Sequence, residues 1–90
     1  INMYLRGYQD LDVWKKSIIL VKQVYAIADT FPKHEIYGLS AQLRRAAVSV
    51  PSNIAEGRGR RRTREFLKHI DIAFGSLAEV ETQLFIAHEL

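Results

Sequence analysis

The chain has 90 residues, 48% of them apolar and 26% charged, with no cysteine and a net charge of +3. That length allows one domain around one small core, and the composition is that of a folded chain rather than a disordered one. Without cysteine, disulfides, thiolate zinc sites and thiol nucleophiles are excluded. No apolar run approaches membrane-spanning length and no signal peptide is visible, so a cytoplasmic protein with no membrane partner is expected. The chain starts at Ile1 rather than methionine. It stops at Leu90 inside a helical pattern, with no glycine or proline, so both ends are expected to continue.

Residues 11–31 carry the clearest helical pattern. Leu11, Trp14, Ile18, Val21, Tyr25 and Ala28 recur at steps of three and four, beside a second stripe of Leu20, Val24, Ile27 and Phe31. Asp12, Lys15, Lys16, Lys22, Gln23, Asp29 and Thr30 fall on the other side. The apolar arc covers roughly half the circumference, which suits a helix with neighbours on two sides. Asp10 is the predicted N-cap, and Trp14 and Tyr25 are predicted core residues. Pro32 ends the helix, because it pushes Phe31 out of the helical region.

A connection over 32–38 leads to a second helix, predicted from Gly38 to Glu56 with Leu39, Leu43, Ala46, Ala47, Val50 and Ile54 inward. Pro51 lies inside it. It lacks an N–H donor and clashes with the Ala47 carbonyl, at a cost of about 3 kcal/mol in a helix interior. Either the helix kinks there, or it breaks and restarts with Pro51 in a new first turn capped by Ser49 or Val50. The apolar phase runs on through Leu43, Ala47, Val50 and Ile54, so one kinked helix is expected. Ser49, Ser52 and Asn53 are read as partners for backbone groups freed by Pro51 rather than as a recognition surface. Gly57 is the predicted stop, with a loop over 57–62.

The third helix is the longest. Thr63 is its predicted N-cap, with Glu65 near the positive helix end. Phe66, Ile70, Ala73, Leu77, Val80, Leu84 and Ala87 form the inward stripe. Leu67, Phe74, Ala78 and Phe85 form an adjacent one, and Ile72 and Ile86 lie on neither. Three short helices cannot bury both stripes of every helix, so contact between copies is expected. No stretch alternates as a strand does, and no internal repeat is present.

The charge is concentrated. Arg58, Arg60, Arg61, Arg62, Arg64 and Lys68 are offset only by Glu65, which leaves +5 on residues 58–68 against +3 for the whole chain. Clustered like charges repel unless something anionic screens them. Guanidinium forks match phosphate oxygens, so the loop is a candidate phosphate contact. The plainer reading is a solvated turn that keeps the chain soluble. Arg44 and Arg45 either extend the patch or pair with Glu56, with pairing expected for at least one. No aromatic residue interleaves with 57–65, which favours contact with a nucleic-acid backbone over stacking on bases.

Other chemistry finds little support. Glu65 and His69 lie four apart on one helical face, but no matching Glu-x-x-His pair recurs elsewhere, so a surface charge pair is expected rather than a metal site. His34 and His88 have no evident second ligand. Ser40, Ser49, Ser52 and Ser76 have no adjacent histidine to serve as base. Gly57-Arg58-Gly59 follows a helix and lacks the lysine of a phosphate-binding P-loop. No cofactor and no enzymatic activity are expected.

The ordered motifs resemble a known family. They are Asp10-Leu11-Asp12-Val13-Trp14, Phe31-Pro32 with Glu35 and Tyr37-Gly38-Leu39, Gln42 to Ala47, and Ser49-Val50-Pro51-Ser52-Asn53-Ile54-Ala55-Glu56-Gly57. Ala73-Phe74-Gly75-Ser76-Leu77 with Glu79 and Glu81 follows. From Gln9 to Leu90 the chain resembles the bacterial 23S ribosomal RNA intervening sequence proteins, encoded within segments that interrupt the ribosomal RNA gene. A related protein is the accessory factor of diversity-generating retroelements, which partners a reverse transcriptase. The resemblance implies an all-α, up-and-down four-helix bundle, of which this chain holds three helices with the second kinked. It also implies a homopentameric ring without catalytic activity. The functional expectation is a homo-oligomeric scaffold that binds nucleic acid, RNA before DNA, through the arginines. The alternative is a module that docks an acidic protein or a ribonucleoprotein.

Overall fold

The computed structural model describes residues 6–90. The start of the chain at Ile1, one of the two ends expected to continue, lies outside them. The described residues form a one-turn helix α1 (Arg6–Gln9) and three long helices, α2 (Asp12–Ala28), α3 (Leu39–Gly59) and α4 (Thr63–Glu89). A short 3-10 turn, Lys33–Glu35, lies between α2 and α3. Among the described residues no strand forms, and no helix is long and apolar enough to cross a membrane. The long helices run up and down. The 27 residues of α4 rise about 40 Å, which accounts for the 42 Å long axis of the molecule.

Helix α3 is the central element. It packs against both α2 and α4, whereas α2 and α4 make no close backbone approach to each other. Its buried positions are Ser40, Leu43, Ala46, Ala47, Val50, Pro51, Ile54 and Gly57, many of them small enough to let two neighbours come close. At one end Val24 and Ala28 of α2 meet Leu43, Ala46 and Ala47 of α3 and Val80 of α4. At the other end Val50, Ile54 and Ala73 are covered by Leu11, Trp14, Phe66, Ile70 and Leu77. The inward stripes expected on the second and third long helices are the ones that pack. Tyr25, a predicted core residue, is instead exposed, with the Arg44 guanidinium 5.8 Å from its ring centre. Trp14 is half-buried in the core, with Tyr8 of α1 packed edge-on at 5.3 Å.

Several helix ends differ from the sequence reading. Helix α2 starts at Asp12, and Leu11, not Asp10, occupies the cap position without a side-chain bond. The reason is α1, whose Tyr8 carbonyl accepts the Leu11 N–H at 3.0 Å and sets the entry by backbone alone. Helix α2 ends at Ala28, three residues before Phe31. There Thr30 Oγ1 donates to the Ile27 carbonyl at 2.6 Å, and the Thr30 and Phe31 N–H groups bond three residues back. Tight bonding of this kind closes a helix before the proline is reached. At the start of α3 the Glu35 carboxylate accepts the Leu39 N–H at 3.3 Å.

Helix α3 is continuous through Pro51, so the reading with a break and restart does not hold. Asn53 does bond locally, but its Nδ2 donates to the carbonyl and the hydroxyl of Ser49, both at 2.9 Å. The carbonyl that Pro51 deprives of its usual donor is that of Ala47. Ser52 is exposed. The polar cluster therefore serves the neighbouring helix: Ser76 of α4 donates to Ser49 Oγ at 2.8 Å.

That bond is one rung of a series. Gln42, Ser49 and Glu56 lie a heptad apart on α3, and His69, Ser76 and Gln83 lie a heptad apart on α4. Because the helices are antiparallel, Ser49 meets Ser76, and Glu56 meets His69 at 3.2 Å. Gln42 and Gln83 line one groove with Arg45 and Glu79. The two bonded pairs, Ser49 with Ser76 and Glu56 with His69, penalise a shift of register, because a slipped helix leaves those groups unpaired, whereas the buried Gln83 Oε1 has no partner among the described residues.

Gly57 is not the end of α3. The helix continues to Gly59, and Gly57 is buried at the crossing with α4. A Cβ built on Gly57 would stand 2.5 Å from the His69 Cβ. The residue is glycine because the two helices touch there. Gly57→Ala is expected to destabilise the protein by about 1–3 kcal/mol in chemical denaturation. Gly59→Ala, which meets nothing within 4 Å, is expected to be neutral or slightly stabilising. Equal effects of the two would contradict the crossing.

The Glu56 carboxyl is held below the usual carboxylate range, first by the hydrogen bond from Arg60 and then by the hydrogen bond and charge of His69. A depressed carboxyl pKa stabilises the folded state above the ordinary carboxylate range, and that contribution disappears as pH falls through it. Glu56→Gln is therefore expected to lower the melting temperature at pH 7, with the gap to the wild type closing toward pH 3. A gap that does not change with pH would contradict this.

Candidate nucleic-acid interface

The arginines gather where α3 turns into α4. The expected loop over 57–62 shrinks to Arg60, Arg61 and Arg62, because α3 continues to Gly59. Arg58 is thus a helical residue. Its side chain lies against Gly7 of α1, where an added Cβ would stand 3.8 Å from Arg58 Cγ. Arg60 caps α3, and Arg61 follows with φ 61. A left-handed residue after a helix is usually glycine, and an arginine there carries strain of about 1–2 kcal/mol. It reverses the chain in a single residue. Arg62 is then extended, with φ −128 and ψ 129, and occupies the N-cap of α4.

This shifts the sequence reading of α4 by one residue. Thr63, the predicted cap, is the first helical residue, and no side chain caps the helix. The first intrahelical bond here runs from the Phe66 N–H to the Arg62 carbonyl at 2.9 Å. The N–H groups of Thr63, Arg64 and Glu65 precede it. An uncapped helix start carries partial positive charge and free donors.

Arg58, Arg61, Arg62 and Thr63 line a cleft of about 110 Å³ together with Gly57 and Phe66. Three arginines and the first residue of α4 therefore border one small concavity. Chemically this arrangement suits a phosphate: forked donors from the side chains and backbone donors from the helix start. Arg64 and Lys68 are exposed on the first turns of α4.

Arg60 is placed differently. It sits about 200° around the helix from Arg58, on the side of the polar rungs, and its Nη2 donates to Glu56 Oε2 at 3.0 Å. The same carboxylate oxygen is 3.2 Å from His69 Nε2. Glu56 is thus the partner of Arg60 and His69, and not of Arg44 or Arg45 as expected. Arg44 and Arg45 lie some 20 Å down α3 from Arg58. Both border a groove with Tyr25, Ala41 and Val48. The structure therefore separates them from the cluster at the turn.

The expected surface pair of Glu65 and His69 is also corrected. His69 is 8% exposed. Its Nδ1 faces the backbone carbonyl of Glu65 at 2.9 Å, and its other nitrogen faces Glu56. Among the described residues no three histidine, aspartate or glutamate side chains converge as metal ligands. The link between Glu56 and His69 escaped the sequence reading. Its signal was the symmetry of the heptad positions about the turn, which pairs Ser49 with Ser76 in the same way.

A family model described as 23S rRNA-intervening sequence protein matches residues 9–90. No curated protein sequence matches the chain. Since the match runs through all three long helices and the arginine turn, the chain belongs to the 23S rRNA-intervening sequence protein family.

Proposed function

We propose that this protein is a non-enzymatic, homo-oligomeric scaffold that binds nucleic acid, RNA before DNA, at the turn between α3 and α4. The observation that carries this reading is the cleft in which Arg58, Arg61 and Arg62 surround the uncapped start of α4. The contact is with phosphates. It therefore reads little sequence, because backbone contacts position a nucleic acid without specifying bases.

The oligomeric part rests on apolar surface. Leu67, Phe74 and Phe85 of α4 are 57%, 64% and 65% exposed in the single chain, on one stripe with Ala78. Val13 and Ile27 of α2 are exposed as well. Aligned apolar side chains at this exposure call for a covering partner. A second copy is the partner the family resemblance favours, with a five-membered ring as the assembly. A ring repeats the arginine turn in every subunit, and repeated weak phosphate contacts add avidity. The same stripe also supports the second reading, in which it receives another protein, such as a ribonucleoprotein component.

Replacing Arg58, Arg61 and Arg62 together by glutamine is expected to leave helix content and assembly intact. It should weaken RNA binding and flatten the dependence of log affinity on log salt by about two to three units per subunit. The loss should be similar for unrelated sequences. Filter binding at several salt concentrations reads both effects, and an unchanged affinity and slope would overturn the phosphate reading. Light scattering is expected to give a multiple of 10.3 kDa, five for the ring. Phe74→Gln with Phe85→Gln should lower that mass. A monomeric wild type at micromolar concentration would overturn the oligomeric part.

A further inference from the structure

The Glu56 carboxylate oxygen Oε2 has two suitors. Arg60 Nη2 lies at 3.0 Å and His69 Nε2 at 3.2 Å. The other ring nitrogen of His69, Nδ1, faces the Glu65 carbonyl at 2.9 Å. Both neighbours of the ring are therefore acceptors. A neutral imidazole has only one N–H to give. If Nδ1 carries it, the Nε2 lone pair points at the carboxylate. If Nε2 carries it, the Nδ1 lone pair points at the carbonyl. Only the doubly protonated ring serves both acceptors.

Other charges do not blur this arrangement. Among the described residues the charged groups facing His69 are Glu56 from α3, with Arg60 beyond it, and Glu65 of its own helix, which offers its carbonyl. From the side of α2, Trp14 and the cap residue Leu11 pack with the neighbouring Phe66 over Val50, Ile54 and Ala73, and both are apolar. Gly57 packs directly on the His69 Cβ and fixes the ring's position. His34 is exposed near the start of α3, and His88 is exposed near the end of α4. Both lie at the end of the bundle away from the arginine turn.

We infer that His69 is a positioning residue for the phosphate site: when it takes a second proton it competes for the Glu56 carboxylate and loosens the hold of Glu56 on Arg60, which becomes available to the anion. This rests on the phosphate reading given above. With the ring neutral, Glu56 is matched by Arg60, which is held away from the cleft. With the ring charged, Glu56 is shared between two cations, and the end of the bundle gains one positive charge and a guanidinium that is only partly neutralised. Proton uptake and anion binding then favour each other, and by reciprocity a bound phosphate chain promotes protonation of the buried ring.

The test is fluorescence anisotropy of the full chain with tetramethylrhodamine-labelled oligouridylate, whose phosphodiesters, bases and dye do not titrate between pH 5.5 and 8. Ionic strength is held constant. Wild-type affinity is expected to rise about threefold to fivefold from pH 8 to pH 5.5, the scale set by one exposed ion pair. His69→Gln should remove that rise, whereas a His34→Gln, His88→Gln double variant should keep it. Glu56→Gln, which releases Arg60 at every pH, should hold at pH 8 the affinity that the wild type reaches only at pH 5.5. This second variant decides the matter if His69→Gln does not fold. A wild type whose affinity does not change with pH, a His69→Gln profile equal to the wild type, or a Glu56→Gln variant that still follows the wild-type profile would each overturn the inference and leave the phosphate reading standing. Absence of oligouridylate binding at any pH would remove both.

Discussion

The crossing of α3 and α4 at Gly57 and His69 is the contact on which the rest of the arrangement depends. A side chain at Gly57 would collide with the His69 Cβ, so its absence sets how closely the helices approach. That closeness brings Glu56 within hydrogen-bonding reach of His69. Two heptads away from the turn, the same antiparallel register brings Gln42 and Gln83 to one groove, with the Ser49–Ser76 bond between. Polar rungs of this kind contribute little net stability, since each bond replaces bonds to water. They fix which residues face each other, and so they fix where the turn falls.

The turn converts that register into an electrostatic site. Because α3 persists to Gly59, only three residues are left to reverse direction, and all three are arginines. Arg61 adopts the left-handed conformation that a glycine would take more readily. Arg62 then stands where a capping serine or aspartate would serve, and α4 starts without a side-chain acceptor. A capping side chain would quench the helix start, and an acidic one would also cancel a neighbouring guanidinium. Here the uncapped start of α4 and three of the arginines border the same cleft. Glu56, an acidic group beside the turn, is engaged by Arg60 and by His69 rather than by the cleft arginines.

The fold was largely legible in the sequence. Steps of three and four picked out each long helix and the inward stripes of α3 and α4, because a helix buried on one face leaves a period that composition cannot hide; on α2 the stripes also took in Tyr25 and Ile27, which are exposed. The continuous phase across Pro51 correctly favoured one helix over two. Helix ends were less legible. Asp10 and Thr63 have the chemistry of caps, but backbone turns supplied by α1 and by Arg61 set the start of α2 one residue later and that of α4 one residue earlier. Gly57 has the chemistry of a stop, yet its role is tertiary, and no local rule separates a glycine that ends a helix from one that lets another helix approach. The arginine cluster was visible as charge. Its division into Arg58, Arg61 and Arg62 at the cleft, Arg60 on Glu56, and Arg44 and Arg45 far down α3 required the register of two helices.

The central claim is that the start of α4 and the arginines around it receive phosphate together. Backbone amide resonances report this most directly, because the donors of Thr63, Arg64 and Glu65 belong to the helix and not to any side chain. In a titration of the labelled protein with oligouridylate, these three amides and the guanidinium signals of Arg58, Arg61 and Arg62 should shift together and saturate with one affinity. Shifts confined to flexible side chains, or centred on Arg44 and Arg45 while the α4 amides stay still, would contradict the account.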